Sequence, residues 1–227
     1  MRPAPSAVLF DLDGTLLDTA PDMVAALQAL QREEAVPELG YASARGHVSN
    51  GVTGLVSIAF GELPDAERTR LQQRFVALYA QQLVRATRLF PGMDRVLGAI
   101  EAAGVPWGVV TNKPGHLTES ILATLALRQR CATVVSGDTT AQRKPHPEPL
   151  RHALAQISAE AAAAIYVGDA ARDVTAGRAA GMRTVAALYG YIPPGEDPAA
   201  WGADHRISSP GELLDLPGMP RPPVADR

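Results

Sequence analysis

The sequence predicts an α/β fold, a doubly wound parallel sheet with a small helical cap inserted after the first strand. Three observations carry this expectation. Short apolar runs recur at residues 7–10, 105–110, 131–136, 163–167 and 183–188. They are too short for helices, and as strands they read as buried on both faces. Three of them end at polar residues, Asp11, Thr111 and Asp169. Between the first and second runs, helical stretches follow one another with no strand, which breaks the βα alternation.

The chain is organised around residues 7–19, Ala-Val-Leu-Phe-Asp-Leu-Asp-Gly-Thr-Leu-Leu-Asp-Thr. A buried strand stops at Asp11, Asp13 follows two residues on, and Gly14 permits a sharp turn. Ligands of open α/β sheets bind beyond the carboxyl ends of the strands. Two carboxylates this close repel each other unless a cation relieves them, and a hard divalent ion such as Mg²⁺ suits oxygen ligands. An acidic turn with no chemistry has the same short signature.

Helical periodicity then covers residues 22–34, with Met23, Leu27 and Leu30 in register, and residues 52–60. A third stretch at 65–83 places Leu71, Phe75, Leu78 and Tyr79 on one face. Residues 21–88 are therefore expected to form the cap, with 1–20 and 89–216 as the core. Between cap helices, Arg-Gly-His-Val-Ser-Asn-Gly at 45–51 frames polar side chains with glycines. Arg45 suits an anionic or carboxylate group, and Asn50 and Gly51 stand beside it as candidate substrate contacts. A plain polar loop reads the same way.

The return to the core runs through residues 89–93, a helix at 94–103 that stops at Gly104, and the strand at 105–110. At its end, the Thr111 hydroxyl and the Asn112 backbone N–H are placed to grip a phosphoryl oxygen. A helix follows at 116–125, then the strand at 131–136. Lys144 is held between prolines in Arg-Lys-Pro-His-Pro-Glu-Pro at 143–149. After a helix at 151–157 and the strand at 163–167 come Gly168 and Asp169, with Asp173 in the first turn of the next helix. Asp173 serves equally well there as a helix-start residue. The strand at 183–188 leads to Tyr-Gly-Tyr at 189–191, an edge strand at 205–207 and a short helix at 210–216. Closely spaced prolines from Pro217 onward read as a disordered tail.

The bulk properties are those of an ordinary globular chain. It has 227 residues, 46 % hydrophobic and 20 % charged, with a formal net charge of −3. That balance gives no sign of a nucleic-acid or membrane surface. Cys131 has no second cysteine to pair with, which suits a reducing cytoplasm, and no signal peptide or membrane span is legible.

Asp11 to Thr19 resembles the first signature of the haloacid dehalogenase-like (HAD) superfamily of phosphatases. Thr111, Lys144 and the pair Asp169 and Asp173 resemble its remaining three motifs, in the family's order. The resemblance spans nearly the whole chain. It implies that Asp11 is the nucleophile that takes up the phosphoryl group and that Asp13 is the general acid/base. It further implies that Lys144 balances charge, and that Mg²⁺ is held by Asp11, the Asp13 carbonyl and Asp169 with support from Asp173. A helical cap after the first motif is common in that family. The Val-Thr-Asn-Lys-Pro stretch, the Lys-Pro-His-Pro-Glu-Pro stretch, Tyr-Gly-Tyr and the cap loop are similar to the phosphoglycolate phosphatase-like branch. The cap loop departs from that branch's usual form, which has an aromatic residue before the valine. Residues 190–204 also resemble N-acetylmuramic acid 6-phosphate phosphatases.

The expected protein is a cytoplasmic monomer or homodimer that hydrolyses a small phosphorylated metabolite, 2-phosphoglycolate first. A phosphoglucomutase-like phosphoryl transferase shares all four motifs. A response-regulator receiver ends at its lysine, and a haloacid dehalogenase needs neither Asp13 nor the later acidic pair.

Overall fold

The apolar runs assemble into one sheet in a computed structural model that describes residues 3–221. In chain order the elements are β1 (Val8–Phe10), β2 (Leu17–Asp18), α1 (Ala20–Glu33), α2 (Tyr41–Arg45), α3 (Gly51–Phe60) and α4 (Asp65–Ala80). They continue with β3 (Arg88–Leu89), α5 (Met93–Ala102), β4 (Trp107–Val110), α6 (Gly115–Thr124), β5 (Thr133–Val135) and α7 (Glu148–Gln156). The last are β6 (Ile165–Gly168), α8 (Ala171–Ala179), β7 (Arg183–Ala187) and β8 (His205–Ile207). Six strands form the main sheet in the order β5-β4-β1-β6-β7-β8, every neighbouring pair parallel.

Strand β1 shows why the sheet is wound on both sides. Its three residues are fully buried. Val8 and Phe10 belong to an apolar cluster with α5, α6 and the helical insert. Leu9 points the other way, into a cluster with Leu150, Tyr166 and Ala176. Successive side chains of a strand alternate between faces, so a central parallel strand must be apolar throughout.

The helices between β2 and β3 pack as the periodicity requires. Leu27 and Leu30 of α1 share the buried cluster with Leu71, Phe75 and Tyr79 of α4, which stand four residues apart on one stripe. Salt bridges from Arg70 to Glu34 (2.7 Å) and Arg74 to Glu33 (2.6 Å) tie the exposed sides of these two helices. Where the chain leaves for and returns from this segment, β2 and β3 pair antiparallel, Leu17 opposite Leu89 and Asp18 opposite Arg88. The buried Asp22 carboxylate accepts from the backbone N–H groups of Ala86 and Thr87 and from the Thr87 hydroxyl. That pins the returning strand to α1.

The structure departs from the sequence reading in several places. The stretch at 45–51, read as a loop between cap helices, begins at the end of the five-residue α2 and holds a single turn at Val48–Asn50. Elements this short carry no readable period. The strands β2 and β3 have two residues each and are equally silent in the sequence. Helix α7 begins at Glu148 rather than 151, because Pro149 lies in its first turn, where a backbone N–H has no partner to lose. The expected tail also starts folded. Arg183 donates to the Pro217 carbonyl at 3.0 Å, and Met219 is buried against the core. One apolar residue suffices to dock a proline-rich segment. The rest of the expected tail, residues 222–227, lies outside the described residues. No helix among the described residues is long and apolar enough to cross a membrane.

Candidate active site

The register of the sheet sets the site. Phe10 lies level with Val109 on one side and Val167 on the other. Asp11, Thr111 and Asp169 therefore leave adjacent strands close together. Strand order also reverses at β1, with β4 and β5 to one side and β6 to β8 on the other. Such a switch point opens a crevice at the strand ends.

Asp11, Asp169 and Asp173 meet there, at most 3 % exposed, each offering an oxygen within 4.8 Å of the others. The buried Lys144 ammonium is their counterion, 2.9 Å from Asp11 Oδ1 and 2.8 Å from Asp173 Oδ1. It also donates to the Tyr166 hydroxyl at 2.7 Å, which in turn donates to the Val110 carbonyl. Its backbone is clamped from both sides by the Asn112 amide, whose Nδ2 donates to the Lys144 carbonyl and whose Oδ1 accepts the Lys144 N–H.

One ammonium against three buried carboxylates leaves an excess of negative charge. Burial, and after it the Asp11 and Asp173 carboxylates, push the Asp169 carboxyl up to about 8. Burial also raises Asp173, with Asp11 adding to it and Lys144 opposing. Asp169 Oδ2 accepts from the Tyr191 N–H (2.8 Å) and the Ser49 hydroxyl (2.5 Å). Asp169 Oδ1 is buried and has no hydrogen-bond partner among the described residues. Excess carboxylate charge, all-oxygen donors and an orphaned oxygen are what a hard divalent cation satisfies, so the residues present fit Mg²⁺. The backbone of Gly14 is part of this packing. Its φ is +84°, and a Cβ there would fall 2.0 Å from Asp169 Oδ2.

Asp13 has a different set of partners. Its Oδ1 accepts from the Thr19 hydroxyl at 2.6 Å and from the Lys113 ammonium at 2.9 Å, and Lys113 reaches Oδ2 at 3.2 Å. Lys113 is 8 % exposed and sits over the ring of Tyr79 at 4.7 Å. Burial disfavours its charge most, yet Asp13 and, after it, Tyr79 together outweigh that and raise the ammonium's pKa.

A cavity of about 670 Å³ opens over these groups. Asp11, Asp13, Thr111, Asn112, Asn50 and Gly51 all line it, so six of the residues singled out in the sequence come together. Lys144, Asp169 and Asp173 lie beneath Asp11 rather than on the wall. Arg45 is elsewhere. Its guanidinium donates to the Tyr189 and Gly190 carbonyls and lies over the Tyr191 ring, joining α2 to the loop after β7. The Asn112 side chain is committed to Lys144, which leaves its backbone N–H for a ligand.

Sequence reasoning missed Lys113, Tyr79, Tyr166 and Arg172, and read Ser49 only as a polar residue of the cap loop. Lys113 stands in the Val-Thr-Asn-Lys-Pro stretch, but a lysine at a helix start usually reads as solvated surface. Ser49 reaches Asp169, and Arg172 donates to the Ser49 carbonyl and, at 3.3 Å, to Asn50 Oδ1. Only tertiary packing reveals that the insert's loop touches the acidic cluster.

Comparison with known proteins agrees with this geometry. The family model described as haloacid dehalogenase-like hydrolase matches residues 8–187. A phosphoglycolate phosphatase of Xanthomonas campestris pv. campestris (strain 8004) is 45 % identical over 218 residues, covering 96 % of this chain and 99 % of that protein. An N-acetylmuramic acid 6-phosphate phosphatase of Pseudomonas aeruginosa is 42 % identical over 211 residues, covering 92 % and 93 %. The crystal structure of a predicted phosphoglycolate phosphatase from Haemophilus somnus superposes with a TM-score of 0.82 at 25 % identity, covering 92 % of this chain and 96 % of that one. With strand-end acids, a buried lysine and a match over most of its length, this chain belongs to the haloacid dehalogenase-like hydrolase family.

Proposed function

We propose that this phosphatase is a Mg²⁺-dependent phosphate monoester hydrolase that works through an aspartyl-phosphate on Asp11, with 2-phosphoglycolate as its substrate. The observation that carries the mechanism is the asymmetry of Asp11. Its Oδ1 is held by the Leu12 N–H at 2.7 Å and by Lys144, whereas Oδ2 has no hydrogen-bond partner among the described residues. A carboxylate fixed by one oxygen presents the other as a nucleophile at a cavity wall.

Asp11 Oδ2 attacks phosphorus, the phosphorus–oxygen bond to the alcohol breaks, and Asp13, carrying a proton, passes it to the departing oxygen. Asp13 then takes a proton from the water that cleaves the aspartyl-phosphate and regenerates Asp11. The Thr111 hydroxyl and the Asn112 N–H hold oxygens of the transferred group. Lys144 stays paired with Asp11 and Asp173 throughout. Asp11, Asp169 and the Asp13 carbonyl, with Asp173 in support, would hold Mg²⁺, which supplies screening of the charge that builds between nucleophile and phosphate.

The relatives divide over substrate, and a 42 % identical relative named for N-acetylmuramic acid 6-phosphate supports a second reading. The test is phosphate release with Mg²⁺ from both esters, compared as kcat/KM. A preference of about a hundredfold, roughly 2.7 kcal/mol of transition-state discrimination, is expected for 2-phosphoglycolate. The opposite preference would move the substrate to the amino sugar. Failure on both, and on p-nitrophenyl phosphate, would refute the phosphatase mechanism.

A further inference from the structure

The cavity wall nearest Asp13 carries two groups that the chemistry above does not use. The Lys113 ammonium sits 2.9 Å from Asp13 Oδ1. Tyr79, from α4, lines the same cavity, backs that ammonium with its ring, and has a buried hydroxyl with no hydrogen-bond partner among the described residues. A buried cation and an unused donor on one wall suit an anion. Two arginines also line the wall. Arg143 donates to the Gly137 carbonyl, and Arg172 to Ser49 and Asn50.

Position identifies which anion. Asp13 must approach the leaving oxygen to within hydrogen-bond reach, about 2.6–3.2 Å. Lys113 lies one hydrogen bond beyond Asp13, on the leaving-group side of the site. A carboxylate one methylene away from the ester oxygen, across bonds of about 1.5 Å each, falls next to that ammonium. A carboxylate on the far side of a sugar ring does not. Arg45, the carboxylate receptor expected from the sequence, spends its guanidinium on backbone carbonyls instead.

We infer that Lys113 and Tyr79 form an anion subsite that selects phosphate esters bearing a carboxylate on the carbon attached to the ester oxygen. This rests on the phosphatase reading above and narrows its substrate class. Because Tyr79 belongs to the helical insert and Lys113 to the loop after β4, the subsite exists only where the two pack together. Burial pushes the Tyr79 phenol up to about 12, so its hydroxyl remains a donor at neutral pH.

The test uses the full chain with Mg²⁺ and two esters of nearly equal size, 2-phosphoglycolate and 2-hydroxyethyl phosphate. The wild type is expected to prefer the carboxylate ester by about a hundredfold in kcat/KM. Lys113→Met and Tyr79→Phe should each shrink that preference at least about tenfold, the loss on 2-phosphoglycolate falling mainly in KM. Lys113→Arg should retain most of it. A preference unchanged in Lys113→Met would show that the lysine serves Asp13 alone and would overturn the subsite. If Lys113→Met lacks a cooperative unfolding transition, Tyr79→Phe decides, since it keeps the ring and its packing, and an unchanged preference there overturns the proposal. A wild type that treats both esters alike overturns it as well. Failure of the wild type on every phosphate ester, p-nitrophenyl phosphate included, would instead remove the phosphatase reading on which the subsite rests.

Discussion

Replacing Lys144 by Met tests the electrostatic reading of the site apart from turnover. The side chain is 1 % exposed, as is that of Asp173, and Asp11 is buried beside them. Methionine keeps most of the apolar stem but deletes the cation that, alone among the described residues, touches two of the three clustered carboxylates. Removing one partner of a buried ion pair typically costs about 3–5 kcal/mol. For a chain of this size each kcal/mol moves the melting temperature by about 2–4 °C, so a drop on the order of 10 °C is expected. The loss must depend on pH. Asp169, held up to about 8 in the folded protein, binds its proton more tightly there than in the unfolded chain. Its contribution to stability is fully present below the ordinary carboxylate pKa of about 3.9 and disappears as pH rises through about 8. The raised Asp173 adds in the same direction. At pH 5.5 the cluster therefore holds protons and tolerates the loss of Lys144. At pH 8.5 it is more fully charged and does not. The assay is thermal unfolding of wild type and variant in metal-free buffer at both values. A shift below about 2 °C at pH 8.5, or a larger shift at pH 5.5 than at pH 8.5, would refute the argument.

Further tests follow from the same geometry. Asp11→Asn should melt at or above the wild-type temperature in metal-free buffer, since it removes one of the crowded charges, while phosphate release vanishes; turnover within tenfold of wild type would exclude Asp11 as nucleophile. Mg²⁺ titrated into the metal-free wild type at pH 8.5 should raise its melting temperature by mass action, and an unchanged transition at saturating Mg²⁺ would contradict the acidic cluster as its site. Gly14→Ala places a methyl group 2.0 Å from Asp169 Oδ2 at a φ of +84°. It should cost more than about 1 kcal/mol in urea unfolding, and a stability equal to wild type would show that the turn relaxes freely.

The sheet was legible because each central strand must be apolar on both faces and stop at a polar residue, which a single sequence displays. Asp11, Thr111 and Asp169 could be found that way, since register alone carries three strand ends to one place. Cross-chain pairings could not. The Ser49–Asp169 contact spans 120 positions, and the Lys113–Asp13 pair spans 100. Neither leaves a local period. Arg45 shows the converse. A guanidinium beside a glycine in a polar loop looks suited to a ligand anion, but the carbonyls of Tyr189 and Gly190 compete for the same donors. Residue type specified its chemistry without specifying its partner. The start of the tail misled for a similar reason, because proline content reports backbone stiffness and says nothing of whether Met219 finds a place in the core.

The charges of the site divide into two unequal groups, and the division has a mechanical consequence. Beneath Asp11, three carboxylates face one lysine, an imbalance that favours a cation and, through Tyr166, Asn112 and Tyr191, is held by residues of the sheet and its loops. Around Asp13 a single carboxylate meets a single ammonium, and the ring behind that ammonium comes from α4 of the insert. The acidic cluster meets the insert directly through Ser49 and indirectly through Arg45, which holds the loop of Tyr191, whereas the environment of Lys113 depends on the insert through Tyr79. Displacing the insert would leave Asp11 and Lys144 in place while stripping Lys113 of its aromatic backing. On the proposed mechanism, phosphoryl attack is then the work of the strand ends, and the proposed selection among leaving groups is the work of their contact with the helices above them.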